Sequence, residues 1–258
     1  TRQYPSFLFP GKTQYVTPED EAVSVESDAL LDTANPLTWR KTARRIAKWE
    51  PDVLIMRYWM SYFAPSLGFV SRKMPKSCTR IGILDNVIPH EPHFFDAPLT
   101  RWFLKSIDGA ITLCDEVGKD LTKLNSDIPH MTLPHPTYTH FGCPIDKAQA
   151  EKLLCIPHKD DSRTLLFFGL IREYKGLDIL IRAMKLLDQR YRLIIAGEPY
   201  GSFDKYSDLI SECGAPSRFF IFPQYIKDSE VKKYFCAADL AVLPYRSATQ
   251  SGINAVAN

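Results

Sequence analysis

The sequence holds no two cysteines in a Cys-x-x-Cys spacing: Cys78, Cys114, Cys143, Cys155, Cys213 and Cys236 all stand singly. That excludes the zinc-ribbon and dithiol-redox classes, which need paired thiols. Four of the six sit in or beside apolar segments, where reduced core cysteines usually lie, and the chain reads as cytoplasmic. No apolar run approaches the length of a membrane span, and no signal peptide opens the sequence. A net charge of only +2 gives no general attraction to polyanions. No basic patch interleaves with aromatics either, so no nucleic-acid partner is expected. Also missing are the Gly-x-Gly-x-x-Gly and Walker spacings of dinucleotide and NTP sites and the Gly-x-Ser-x-Gly elbow of acyl-transfer nucleophiles.

What is present suits two domains of ordinary size. With 258 residues, 45% of them apolar and 24% charged, the chain can bury a substantial core. It starts at Thr1, without methionine, and stops at Asn258 inside what reads as a new helix, so a piece of something longer is expected. Residues 1–36 read mainly as loop, with one short strand. Asn35 and Pro36 then form a helix start. Trp39, Ala43 and Ile46 follow at helical spacing, with Arg40, Lys41, Arg44, Arg45 and Lys48 on the remaining faces. Two readings of this basic helix, residues 37–49, stay open: a solvated face on a core-packed helix, or peripheral contact with an anionic membrane at its inner face.

After Pro51 the chain alternates. Strands predicted at 53–56, 80–84, 109–113 and 130–133 are separated by helices at 63–73, 99–106 and 115–124, which implies a parallel sheet covered on both faces. The second strand opens onto Asp85, Asn86, Pro89, His90, Glu91 and His93. His-x-x-His flanked by carboxylates, here with Asp85, Glu91 and Asp96, has the chemistry of a metal site. Pro89 and Pro92, however, rule out a helix that would put both imidazoles on one face, so an active-site loop is the stronger reading and no metal is assigned. The isolated His130, His135, His140 and His158 read as loop residues. Residues 134–148, with Pro134, Pro136, Gly142 and Pro144, read as a linker, giving domains 1–140 and 141–258.

The second half alternates more clearly, with strands at 164–168, 192–196, 219–222 and 240–243 and helices at 176–187, 203–213 and 229–237. Right-handed crossovers return every strand in one direction, so four loops must emerge at one sheet edge. The first follows Leu165–Phe168, where Gly169 stops the strand and Arg172, Glu173 and Lys175 precede Gly176 and a helix. A ligand in an open α/β sheet binds at such a place. A planar guanidinium beside a mobile ammonium suits a diphosphate, and the alternative is a solvated loop in which Glu173 pairs the cations. Arg246, Ser247, Thr249, Gln250, Ser251 and Gly252 form a small, polar run before a helix. It can serve an anion or be an ordinary N-cap cluster.

Taken in order, FFGLIREYKGLDILIRA, IIAGEPYG and YIKDSEVKKYFCAADLAVLPYRSATQSG resemble the donor half of GT-B glycosyltransferases of the group-one, family-four type. RYWMSYFAP, ILDNVIPHE and LPHPTY match the first half more loosely. The resemblance implies an α/β protein of two Rossmann-like parallel-sheet domains facing across a cleft, an acceptor-side domain followed by a nucleotide-sugar donor domain, both incomplete here. It makes Arg172 and Lys175 the grips on the donor diphosphate and Gly169 the close-approach glycine. Tyr225 and Ile226 lie by the base, and Ser251 and Gly252 offer backbone donors. Glu198, Arg246, Ser247, Thr249 and Gln250 complete the pocket. Asp85 and Asn86 stand where many relatives carry a His-Asp pair, which makes Asp85 the catalytic position of the first half. The family's two glutamates seven residues apart are absent, with Thr249 and Ala257 near their places. The implied activity is retaining, metal-independent transfer of a sugar from a nucleotide diphosphate sugar to a glycan, polysaccharide or lipid-linked acceptor, without a further cofactor. A sugar-nucleotide epimerase or hydrolase and a non-catalytic nucleotide-sugar binding subunit are the alternatives.

Overall fold

A computed structural model describes residues 26–89, 93–134, 141–246, 253 and 256, and they fall into two α/β units. In the first, α1 (Pro36–Ala47) begins where expected: the Asn35 side chain accepts from the Leu37 N–H at 3.1 Å, with Pro36 in the first turn. There follow β1 (Val53–Tyr58), α2 (Ala64–Arg72), β2 (Thr79–Leu84), α3 (Asp96–Leu104), β3 (Gly109–Thr112), α4 (Asp115–Leu124) and β4 (His130–Thr132).

All four strands are parallel and lie in the order β1-β2-β3-β4. Each new strand is added on the same side of the last, so right-handed crossovers put α2, α3 and α4 on one face. Met56, Tyr58, Leu84 and Ala110 meet Phe103, Leu104, Val117 and Leu121 there, and α1 joins through Ala43 against Val70, Met74 and Cys78. Among the described residues, helices cover only one face of this sheet, where the alternation predicts both. On the other face Val53, Ile55 and Met131 are 51%, 60% and 56% exposed. A helix reaches the second face only when strand order reverses, and among the described residues it never does in this unit.

The second unit contains that reversal. It comprises α5 (Lys147–Leu153), β5 (Arg163–Phe168), α6 (Leu177–Ala183), β6 (Tyr191–Ala196), α7 (Asp204–Glu212), β7 (Phe219–Phe222), α8 (Asp228–Ala237) and β8 (Leu240–Ala241). The strands are again parallel, in the order β7-β6-β5-β8. Two crossovers run outward from β5, and the third passes back over the sheet to its other side. Accordingly Leu165, Phe167, Leu193 and Ile195 bury against α6 and α7. The alternate residues Leu166, Ile194 and Ala196 bury against α5 and α8. Both faces are covered, so β5 and β6 read as continuous apolar runs.

Helix α5 begins at Lys147, within the end of the segment read as linker, and runs on past it to Leu153. Asp146 caps it, accepting from the Ala148 N–H at 2.9 Å. Ala150 and Leu154 carry it into the core beside α8. Its Glu151 is buried and meets Arg192 at 2.7 Å. The polar Lys147-Ala-Gln-Ala-Glu-Lys-Leu run hides this helix because only one narrow stripe of it is apolar. Two other elements are shorter than expected: α6 ends at Ala183 rather than at 187, and β8 has two residues rather than four.

Candidate functional site

Strand order decides where a ligand can sit. In an open α/β sheet the crevice lies at the carboxyl ends of the two strands where the winding reverses. Here those strands are β5 and β8, whose loops are 169–176 and 242–246.

Gly176 brings the two loops together. It adopts a φ of +68°, and a Cβ on it would lie 2.1 Å from the Pro244 carbonyl oxygen, so only glycine fits. Arg246 closes the same seam. Its backbone N–H donates to the Tyr174 carbonyl at 2.8 Å. Its guanidinium donates to Asp178 at 2.9 and 2.6 Å and to the Glu173 carbonyl at 2.8 Å. The Asp178 carboxyl is held below its ordinary range by these guanidinium bonds and charge, helped by backbone N–H groups. Arg246, expected in the pocket, thus acts as a tie between strand ends.

Arg172 and Lys175 are arranged differently. Among the described residues neither has a carboxylate within salt-bridge reach, and the buried Nε of Arg172 has no hydrogen-bond partner. The Glu173 carboxylate, which could have neutralised them, is exposed and lies 3.9 Å from Lys205 instead. Burial, and secondarily the Arg172 charge, pushes the Lys175 ammonium down to about 8. Its Nζ lies 3.2 Å from where a Cβ on Gly169 would stand, and Gly169 has a φ of +93°. Two cations are thus held close, partly desolvated and without a counter-ion among the described residues, at the reversal point. An anion with several oxygens fits that arrangement, since charged hydrogen bonds are strongest where water is excluded.

The neighbouring strand ends contribute unequally. The Glu198 carbonyl accepts from the Ile171 N–H at 2.8 Å, and the Tyr200 N–H donates to the Ile171 carbonyl at 2.9 Å, lacing the β5 and β6 loops together. Tyr225 is exposed beyond β7, but the Ile226 side chain is buried in the core with Val231 and Tyr234. Expected beside a base, position 226 can reach a ligand only through its backbone. Ser247, Thr249, Gln250, Ser251 and Gly252 lie outside the described residues, as do His90 and Glu91.

In the first unit, Asp85 follows β2 and is buried. Its carboxylate accepts from Arg57, at the end of β1, at 2.8 and 3.0 Å, and its N–H donates to the Tyr58 carbonyl. The Arg57 partner was not foreseen. The signal available in the sequence was that both residues close adjacent strands. His93 pairs with Asp96 at 3.4 Å in the same unit.

The geometry can be set beside known proteins. Residues 155–256 match the family model described as glycosyl transferases group 1. Over that segment the chain resembles the group 1 glycosyl transferases. The matched segment contains β5 to β8 and the whole rim described above. A GDP-mannose:glycolipid 4-beta-D-mannosyltransferase of Xanthomonas campestris pv. campestris is 27% identical over 241 residues, covering 87% of this chain and 63% of the relative. A D-inositol 3-phosphate glycosyltransferase 1 of Catenulispora acidiphila is 33% identical over 220 residues, covering 77% of this chain and 51% of the relative. The chain thus spans between half and two thirds of the length of these relatives. Among solved structures, Anabaena HepE in complex with UDP superposes with a TM-score of 0.65 at 12% identity, over 82% of this chain and 57% of that one. WaaG, a glycosyltransferase involved in lipopolysaccharide biosynthesis, gives 0.58 at 16% identity, over 90% and 64%. These two likenesses establish the fold.

Proposed function

We propose that the protein transfers a sugar from a nucleotide diphosphate sugar to an acceptor hydroxyl, with Arg172 and Lys175 holding the diphosphate. The observation that carries this reading is the pair of uncompensated cations at the β5/β8 reversal point. Negative charge grows on the diphosphate as the glycosidic bond breaks, so fixed cations there stabilise the transition state more than the ground state. In this reading the bond from the anomeric carbon to the phosphate oxygen breaks and a bond to the acceptor oxygen forms on the same face. Attack on the face that the phosphate leaves retains configuration, and the acceptor proton passes to the leaving phosphate. The two side-chain cations do the electrostatic work, so the reading calls for neither metal nor further cofactor. Tyr225, Glu198, Gly169 and the run 247–252 would surround the donor, and Asp85 would face the acceptor side.

The relatives and structural neighbours support a nucleotide-sugar donor and divide over the nucleotide, GDP in one case and UDP in another. Glycolipid and lipopolysaccharide in two of those names favour a glycan or lipid-linked acceptor. A contact with an anionic membrane surface on the cytoplasmic side is consistent with such an acceptor. Helix α1 exposes Arg40, Lys41, Arg44 and Lys48 without a carboxylate partner among the described residues, between exposed Leu37 and Trp49. No described helix is long and apolar enough to cross a membrane.

The test is turnover of nucleotide sugars by the protein with and without a panel of acceptors. Acceptor-dependent release of nucleoside diphosphate is expected. Product formed without any acceptor would point to an epimerase or hydrolase, and binding without turnover to a non-catalytic subunit, and either would overturn the transfer reading.

A further inference from the structure

Each of the two uncompensated cations is held by an aromatic ring, and each ring comes from a different neighbouring strand. The Arg172 guanidinium carbon lies 4.6 Å from the ring centroid of Tyr200, in the loop after β6. The Lys175 Nζ lies 5.8 Å from the ring centroid of Tyr245, in the loop after β8. The backbone that carries each ring is itself tied to the Arg172 loop. Tyr200 is tied by its N–H to the Ile171 carbonyl at 2.9 Å, and Pro199 bridges Ile171. Tyr245 packs edge-on against Tyr174 at 6.0 Å, and the next residue, Arg246, donates its N–H to the Tyr174 carbonyl.

The choice of ring over carboxylate has a consequence. A carboxylate would fix each cation equally well but would cancel its charge and compete with an incoming anion. A ring face attracts a cation through its quadrupole while leaving net charge unchanged. The contrast lies next door: Arg246, which ties the strand ends, is neutralised by Asp178. We propose that Tyr200 and Tyr245 are positioning residues that hold Arg172 and Lys175 in place for a diphosphate without cancelling their charge. Tyr200 is the stronger case, because its cation sits nearer and its backbone is laced to the Arg172 loop.

The proposal rests on the diphosphate reading, and the experiment separates the two. UDP and GDP affinities, together with kcat and KM for the donor, are measured for the protein and for Arg172→Ala, Tyr200→Leu and Tyr200→Phe. Tyr200→Leu is expected to weaken diphosphate binding about tenfold, the scale of a partly desolvated cation–π contact. Tyr200→Phe, which keeps the ring, should rescue it. The loss should appear mainly in donor KM, with unchanged circular dichroism. Tyr245→Leu gives an independent reading through Lys175 and should act in the same direction. If Arg172→Ala weakens binding while Tyr200→Leu does not, the positioning role is overturned and the diphosphate site stands. Equal weakening by Phe and Leu also overturns it, since the hydroxyl rather than the ring would then matter. If Arg172→Ala binds UDP and GDP as well as the unmodified protein, the diphosphate reading falls and takes the proposal with it.

Discussion

The ammonium of Lys175 lies 3.2 Å from the point where a Cβ would stand on Gly169. Glycine at 169 therefore does two things: it accepts a φ of +93°, and it leaves room for the cation. Gly169→Ala should cost roughly 1 to 2 kcal/mol of stability from the left-handed backbone alone. It should also displace Lys175, so diphosphate affinity should fall further than the stability loss explains. Denaturant unfolding and UDP or GDP titration on the same variant check both parts.

Lys175 also sets a pH dependence. Its pKa is lowered to about 8, so in free protein it loses its proton as pH rises through that value. A bound diphosphate favours the charged form. Affinity should therefore be level below pH 8 and weaken by about tenfold per unit above it. Lys175→Arg, which stays charged, should flatten this limb. The sign for stability is opposite: the unfolded chain binds more protons between about 8 and the ordinary lysine value, so stability should rise across that window. Lys175→Met should accordingly raise the melting temperature at pH 7 while weakening diphosphate binding, and calorimetry with titration tests the trade.

The tie between Arg246 and Asp178 makes a different claim. With its pKa lowered by the guanidinium, Asp178 contributes stability that is present above the unfolded carboxylate value and is lost as pH falls through the folded one. Asp178→Asn should remove that acid-limb contribution and loosen residues 244–246. Hydrogen exchange at Arg246, whose N–H is bonded to Tyr174, should accelerate.

Helix α5 is held by a buried ion network. Glu151 meets Arg192 at 2.7 Å and His158 at 2.5 Å, and Arg192 also donates to Thr164 at 2.9 Å. Removing one partner leaves a buried charge, so Arg192→Met should cost about 3 to 5 kcal/mol in urea unfolding. The double variant Glu151→Leu/Arg192→Met should cost less than that single change. His158 is raised by its bonds to Glu151 and Asp160. Its contribution is complete below the ordinary histidine value and fades as pH rises through the folded one, and His158→Gln should abolish that slope.

Much of this was legible in the sequence, for reasons that differ by element. Strands β5 and β6 announced themselves because burial on both faces makes them uninterrupted apolar runs, and α1 because Asn35 and Pro36 mark its start. The loop with Arg172 and Lys175 was legible because Gly169 and Gly176 bracket it. Helix α5 was missed because its only buried acid, Glu151, looks like a surface residue until Arg192 arrives from 41 residues away. That the described helices of the first unit share one face of its sheet was missed because alternation gives strands and helices but not the order in which strands lie. Ile226 and Arg246 show the same limit at the site: position along a motif puts a residue on the rim, while packing decides whether its side chain faces the ligand, the core or another loop.

The central claim is that Arg172 and Lys175 grip a diphosphate. Calorimetric titration of the protein with UDP and GDP, repeated on Arg172→Ala and Lys175→Ala, tests it most directly. Each cation removed should weaken binding of the preferred nucleotide by roughly ten- to a hundredfold, as loss of charged hydrogen bonds implies, with the fold intact. Affinity within twofold of the unmodified protein in both variants would contradict the account.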